Sequence, residues 1–156
     1  MKTFKAPWSK TLWVVSGGAT LILLGVTAIP VPGMGWIRLT PLAILAGALP
    51  FVVRSYTIEE GALLIRRLFW DTRIDLAGLQ SARFDPAAVS GSVRTCGNGG
   101  LFSFTGWYWN RQLKSYRAFA TDPKKVVVLT FDTRRVVVTP ERPEAFVREL
   151  SACCQT

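Results

Sequence analysis

The sequence predicts an α+β protein with an N-terminal transmembrane helical hairpin, followed by a bent antiparallel sheet or partial barrel that is capped by a C-terminal helix. Three observations support this fold class. Residues before Glu59, the first acidic residue, are mostly apolar and include two long uncharged runs. After it, short β-branched runs alternate with turn residues, as is typical of strands. A final run has apolar residues at helical spacing. We therefore assign residues 1–54 to the hairpin and 55–156 to the sheet domain.

The first predicted membrane span runs from Thr11 to Ile29 and carries no charge. A helix of this length is about 28 Å long, close to the ~30 Å hydrocarbon core of a bilayer. Pro30–Gly33 is then expected to end the helix and turn the chain. A cleaved signal peptide is the competing interpretation, but the run is long for one and a second apolar run follows directly.

The second predicted span is Gly35–Val53. Its uncharged part, Leu39–Val53, reaches only about 22 Å as a helix, so the span needs the residues from Gly35 onward. Arg38 then lies near one end, where its side chain can reach the headgroups. Small residues in this run can face either another helix or lipid. Both spans are expected to contact membrane lipids.

The distribution of cations predicts the orientation of the hairpin. Lys2, Lys5 and Lys10 precede the first span and Arg54 follows the second, whereas Arg38 is the one cation between them. The positive-inside rule therefore predicts a multi-pass protein of the cell membrane with both termini in the cytoplasm.

The composition argues against an enzyme. The chain has no histidine, so it lacks both the usual general base near neutral pH and the commonest transition-metal ligand. Cys96, Cys153 and Cys154 form neither a disulfide framework nor a zinc-ligand spacing. The serines have no histidine to activate them. We therefore expect no catalytic residues, no metal site and no cofactor.

The sheet domain contains eight short runs that are predicted to be strands. Glu60-Gly61 joins the first two as a hairpin, Asp132-Thr133 joins the last two, and Asp85–Gly100 is predicted to be a loop. The runs are Tyr56–Glu59, Ala62–Arg66, Arg73–Leu76, Leu79–Phe84, Leu101–Trp109, Leu113–Ala120, Lys125–Phe131 and Arg134–Val138.

The C-terminal helix is predicted to begin near Thr139. Thr139 can cap it and Pro140 suits its first position. Phe146, Val147 and Leu150 follow at helical spacing and are expected to close over the sheet.

Residues 55–152 resemble a known family in four motifs. These are Tyr56-x-Ile58-x-x-Gly61-x-Leu63-x-Ile65, then Gly97–Phe102 followed by Gly106-Trp107-Tyr108, then Tyr116–Asp122, and finally Val138-x-Pro140 leading to Phe146 and Leu150. On these motifs the chain resembles the bacterial PH-like (pleckstrin-homology-like) domain proteins, which are small and often membrane-anchored. The resemblance implies a PH-like fold and a binding or scaffolding module without established chemistry. It supplies no ligand residues.

Candidate binding residues come from the basic and aromatic side chains of the central segment. The net charge of +9 favours anionic partners. Tethering makes anionic lipid headgroups a nearer partner than nucleic acid, which is disfavoured. The glycine-rich stretch around Asn98 can form either an anion nest or a tight turn, and the other side chains can equally be solvated strand faces or core. The candidates are Arg94, Asn98, Trp107, Trp109, Arg111, Lys114, Arg117, Lys124 and Lys125.

Together these features predict a membrane-anchored, non-enzymatic binding or scaffolding module. Its cytoplasmic domain is expected to dock a protein partner or anionic lipid headgroups. The alternative is a structural or regulatory subunit of a membrane protein complex that acts through its transmembrane helices.

Overall fold

A computed structural model describes residues 2–29 and 35–153. It confirms an α+β protein with a sheet-rich domain and a C-terminal helix. The turn expected at Pro30–Gly33 lies outside the described residues. The elements in chain order are β1 (Lys2–Lys5), α1 (Lys10–Ala28), α2 (Thr40–Ala48), β2 (Val53–Glu59), β3 (Ala62–Arg67), β4 (Asp71–Asp75), β5 (Leu79–Phe84), β6 (Val93–Gly99), β7 (Phe104–Asn110), β8 (Lys114–Ala120), β9 (Val127–Phe131), β10 (Arg135–Val138) and α3 (Pro143–Cys153).

Helix α1 has the predicted position, and the Ser9 side chain caps it by accepting a hydrogen bond from Leu12 N. The second predicted span, Gly35–Val53, is wrong as a regular membrane helix. Its α-helical part, α2, has nine residues, with 3₁₀ turns before it and at Leu49–Phe51. Pro50 has no N–H to continue the α-helical ladder, which accounts for the early end. Within the described residues, only α1 is long and apolar enough to cross a membrane.

Strand β1 was not predicted, because four residues at a chain end carry too short a pattern. It pairs antiparallel with β2, with Lys2 opposite Ile58 and Lys5 opposite Ser55. Phe4 lies in the hydrophobic core. The apolar helical segment therefore begins and ends in neighbouring strands of one sheet.

The strands form two sheets. One has the order β1-β2-β3-β4, and the other has the order β5-β9-β10-β8-β7-β6. All pairs are antiparallel except β8 with β10, where Val138 lies opposite Phe119. This corrects the purely antiparallel prediction. The β9–β10 hairpin places its second strand beside β8, so β10 runs in the same direction as β8.

Two clusters of apolar side chains hold the sheets together. The larger lies between the two sheets and beneath α3, whose Phe146 and Leu150 are fully buried. The smaller lies on the opposite face of the six-stranded sheet, under the 3₁₀ turn Pro86–Val89. Burial on both faces explains why the runs 126–129 and 136–138 are continuously apolar instead of alternating.

The loop predicted at Asp85–Gly100 is wrong, because its second half forms β6. Gly97 and Gly106 lie opposite each other in the β6–β7 pair. A Cβ on Gly106 would lie 2.2 Å from the carbonyl oxygen of Cys96, and one on Gly97 would lie 2.5 Å from that of Thr105. Glycine is needed at both positions because the two strands approach each other closely. The glycine-rich stretch around Asn98 therefore contributes to strand contact as well as to the turn that the sequence predicts.

The predicted cap of the last helix is also wrong. Helix α3 begins at Pro143, and Thr139 is buried before it. Thr139 Oγ1 accepts a hydrogen bond from Thr121 N at 2.8 Å and lies 3.4 Å from the Tyr56 hydroxyl. Tyr56 in turn donates to the carbonyl oxygen of Phe119. Thr139 thus links the two sheets and does not cap the helix.

The burial of the Tyr56 hydroxyl leads us to predict a loss of stability at alkaline pH. Burial raises the pKa of Tyr56 to about 12. Because the folded-state pKa is the higher one, the stabilising contribution is complete below pH ~10 and is lost as pH rises through ~12, with a size of about 2–3 kcal/mol. We expect Tyr56→Phe to lack this component, so that its free energy of unfolding falls less steeply than the wild type's over that range.

Urea denaturation of the full chain in detergent at several pH values measures the slopes. Wild type and Tyr56→Phe are compared at the same pH values, so that the contributions of the other groups that titrate in this range are common to both chains. Parallel curves for the wild type and Tyr56→Phe above pH ~10 would contradict the assignment.

The Gly106 position predicts a large steric effect. Gly106 has φ 142° and no room for a Cβ, whereas Gly91 has φ 64° and open space around it. We expect Gly106→Ala to lower the free energy of unfolding by about 3 kcal/mol or more, and Gly91→Ala by about 1 kcal/mol. Equal effects in thermal denaturation would argue against the close β6–β7 approach.

Candidate functional site

The helical segment meets the sheets at one end of the domain, which we call the helix end. Ser16 Oγ of α1 donates to the carbonyl oxygen of Gly100 at 3.2 Å and accepts from Phe102 N at 2.8 Å. Ser103 Oγ donates to the carbonyl oxygen of Phe51 at 2.8 Å. The helix end is therefore tied to both ends of the helical segment by hydrogen bonds. The opposite end, at the β7–β8 turn, is called the far end.

A basic groove of about 560 Å³ opens at the helix end. Four of its lining residues, Lys5, Arg54, Arg66 and Arg67, are cations, and two, Asp71 and Glu141, are acidic. Pairing across β1, β2, β3 and β4 brings Lys5 and Arg66 to one face of the sheet, where Asp71 lies opposite Arg66. Elsewhere in the four-stranded sheet, Glu59 and Asp75 lie at the other ends of their strands. The sheet is thus more basic toward the helices.

Arg67 lies at the same end and is only 8% exposed. Its guanidinium carbon is 5.8 Å from the ring centre of Phe51, 5.7 Å from that of Trp70 and 5.1 Å from that of Phe119. Its Nε is buried and has no hydrogen-bond partner. Burial, and secondarily the charge of Arg117, lower the pKa of Arg67 from its ordinary value.

Arg117 approaches the same ring from the neighbouring sheet. Its guanidinium carbon is 4.9 Å from the ring centre of Phe119, and its side chain is exposed. Trp107 lies directly opposite Arg117 in the β7–β8 pair and is 47% exposed. Stacking on a ring favours a guanidinium but supplies no counter-charge. Two arginines therefore share one aromatic ring at the helix end.

The structure brings some of the predicted candidates together and separates others. Arg117 and Trp107 are neighbours at the site just described. Lys124 and Lys125 follow the end of β8 nearest to α1, and Lys125 Nζ donates to the carbonyl oxygen of Glu141 at 3.1 Å. Trp109 lies opposite Ser115, farther along the sheet.

Arg111 and Lys114 lie at the far end. The β7–β8 pair closes at Asn110 and Lys114 at that end and at Phe104 and Ala120 at the helix end. Six residues of strand correspond to about 20 Å. These two cations are therefore remote from Arg67.

Asn98 and Arg94 make hydrogen bonds within the β6–β7 hairpin. The Asn98 side chain accepts from Leu101 N at 3.2 Å and donates to the carbonyl oxygen of Leu101. Arg94 Nη1 donates to the carbonyl oxygen of Gly97 at 3.1 Å. These contacts pair polar groups of Asn98 and Arg94 with backbone atoms of the hairpin itself.

Arg67 was missed by the sequence analysis, as were Lys5, Arg54 and Arg66 as site residues. The cations near residue 54 entered only the argument on orientation. Arg67 carries no local motif, and its position among three rings depends on contacts between β3, β8 and the end of the helical segment. The sequence offers one signal for Arg67, which lies two residues before the aromatic pair Phe69-Trp70.

Other chemistry at the described residues is limited. No cluster of histidine, cysteine or acidic side chains there can hold a metal. A second cavity of about 220 Å³, on the opposite face of the six-stranded sheet, is mostly apolar and includes Tyr108, Tyr116 and Val126. Tyr108 OH donates to the carbonyl oxygen of Asn98 at 3.0 Å. Burial raises the pKa of both tyrosines above its ordinary value.

Comparisons with known proteins identify the family. Neither the curated proteins nor the solved structures that were searched gave a match. The family model "Bacterial PH domain" matches residues 54–153, which is 100 of the 156 residues. PH-like domains are typically non-enzymatic binding modules. The matched range contains Arg67 and Arg117, and the chain belongs to the bacterial PH domain family.

Proposed function

We propose that this protein is a membrane-anchored, non-enzymatic binding module. The segment from α1 to Phe51 inserts into the cell membrane, and the PH domain is held against the cytoplasmic surface, where it docks anionic lipid headgroups or a protein partner. The observation that carries this proposal is the apolar surface of the helical segment.

That surface is broad and mostly uncovered. Along α1 only Leu12 and Ser16, near its beginning, are buried, whereas Leu21 and Ile22 are 72% and 69% exposed. Helix α2 packs against α1 yet leaves Leu42 and Ile44 exposed. Exposed apolar surface of this extent is favourable in lipid and unfavourable in water.

The pairing of β1 with β2 restricts the topology. Both strands belong to one sheet, so Lys5 and Val53 must lie on the same side of any bilayer. A chain that crosses with α1 must therefore cross back before Val53. The return segment Ile37–Phe51 combines nine α-helical and six 3₁₀ residues, which gives about 25 Å, close to the thinner biological membranes.

The tip of the segment supports full crossing. Trp36 is 76% exposed, and the sequence places Arg38 two residues later. Tryptophan favours the membrane interface, and arginine is costly in the hydrocarbon centre. The cations that flank the segment favour a cytoplasmic domain, with the tip at the outer surface.

The alternative, a structural subunit that acts through its helices, is favoured by one feature. Gly17, Gly18 and Gly25 of α1 have no side-chain or backbone neighbour where a Cβ would lie, so another membrane helix can approach closely there. A native-membrane crosslink from α1 to a second protein, retained after Arg117→Gln, would favour this alternative over headgroup docking.

Membrane insertion predicts that charges on α1 disrupt membrane association. We expect Leu21→Arg with Ile22→Arg to move the full-length protein out of the floating fraction in a sucrose gradient, since each arginine costs about 2.5–3.5 kcal/mol at a helix centre. Val93→Arg is the matched control, because Val93 is 62% exposed on the PH domain. Wild-type protein that leaves the membrane in alkaline carbonate would overturn the proposal.

The topology predicts a pattern of cysteine labelling in spheroplasts. Cys96 and Cys153 are exposed on the domain, so an impermeant maleimide should label them only after permeabilisation. Trp36→Cys, in a chain with serine at positions 96, 153 and 154, should label from outside. Labelling of native Cys96 or Cys153 in sealed spheroplasts would contradict the orientation, and an unlabelled Trp36→Cys would contradict full crossing.

A further inference from the structure

We propose that Arg67 and Arg117, which both contact the ring of Phe119, form a binding site for a phosphate group. This inference deepens the proposed function and rests on it for the source of the phosphate, which we assign to an anionic lipid headgroup. It differs from the sequence-based candidates because it centres on Arg67.

Arg67 is a buried cation without a counter-charge. Its side chain is more than nine-tenths buried, and its Nε has no hydrogen-bond partner. The ion pairs among residues 2–29 and 35–153 are Lys2–Glu149 and Arg83–Asp85, so neither Arg67 nor Arg117 has a carboxylate. A buried charge that lacks a counter-charge and leaves one donor without a hydrogen bond is destabilising. An incoming anion removes that penalty.

A second cation increases the need for an anion. The guanidinium carbons of Arg67 and Arg117 lie 5.1 Å and 4.9 Å from the same ring centre. They are therefore no more than about 10 Å apart, and their repulsion contributes to the lowered pKa of Arg67. One bound anion interacts favourably with both charges.

Phosphate fits the chemistry of this pair. A guanidinium presents a planar fork of donors that matches two oxygens of a phosphate, and arginine is the preferred residue at such sites. A cation–π contact with the Phe119 ring does not use the N–H donors of either guanidinium, so these donors can still bind an anion. A phosphodiester has two unesterified oxygens, one for each arginine.

The position of the site favours a lipid headgroup as the source. Phe51, which contacts Arg67, is the last residue of the helical segment before β2. The exposed rings of Trp70 and Trp107 lie beside the two arginines, and tryptophan favours the headgroup level of a bilayer. With the helical segment inserted, Arg67 and Arg117 lie at the height of the lipid phosphates.

The test measures lipid binding to the full-length protein in neutral detergent micelles by native mass spectrometry. We expect phosphatidylglycerol to bind more tightly than phosphatidylcholine, whose headgroup is neutral overall. Arg117→Gln should lower the affinity for phosphatidylglycerol by about tenfold or more. Arg111→Gln is the matched control, an exposed far-end arginine with the same loss of charge, and should change the affinity less than about twofold.

Arg67→Met distinguishes binding from packing. An apolar side chain of similar length among three rings should leave the melting temperature unchanged or raised, while phosphatidylglycerol affinity falls as in Arg117→Gln. A lowered melting temperature with unchanged affinity would show that Arg67 only packs. Equal affinities of Arg117→Gln and Arg111→Gln, or no preference for phosphatidylglycerol, would overturn the site.

Two further arms separate this inference from the proposed function. Calorimetric titration with glycerol 3-phosphate and inorganic phosphate tests a soluble source, and binding as tight as that of the lipid would retain the phosphate site but assign it to a soluble ligand. Flotation of Arg117→Gln should match the wild type. Normal flotation without phosphate binding rejects the site alone, whereas failed wild-type flotation rejects the anchor.

Discussion

The pairing of β1 with β2 is the constraint on which the rest of the structure depends. It fastens the residues before α1 to the residues after Phe51, so the long apolar segment is a closed insertion into a sheet and not a free tail. Phe4 of β1 also packs edge-on against Phe146 of α3, with ring centres 5.2 Å apart. The same four-residue strand therefore closes the core, positions the last helix and fixes the geometry of the helical segment.

At the helix end, Phe119 has more than one structural role. Phe119 belongs to the main core, yet its ring also supports two arginines. Its carbonyl oxygen accepts from Tyr56, which joins it to the Thr121–Thr139 network. The two guanidiniums therefore contact a residue that belongs both to the main core and to this hydrogen-bond network. The ring holds both guanidiniums in place although neither arginine has an acidic partner among the described residues.

Much of this fold can be predicted from the sequence, because several strands carry strong local patterns. The Glu60-Gly61 hairpin, β5 and the β9–β10 hairpin lie where β-branched runs and turn residues place them. Strands β1 and β6 were missed, since one is short and the other contains glycines that serve strand contact. At the site, Trp107 and Arg117 were candidates from composition, whereas Arg67 depends on long-range packing that no local pattern encodes. The second predicted span was too long because its α-helical part ends at Ala48, two residues before Pro50.

The two hydrogen bonds of Ser16 have a mechanical consequence. Ser16 lies two turns into α1 and holds the tip of the β6–β7 hairpin through Gly100 and Phe102. A helix adjusts its tilt to the thickness of the surrounding bilayer. In an anchored protein, a change in the tilt of α1 would move the β6–β7 hairpin through the two hydrogen bonds of Ser16. This movement would change the distance between Trp107 and the lipid surface. Lipid composition would then affect the position of the domain through the thickness of the bilayer as well as through the charge of the headgroups.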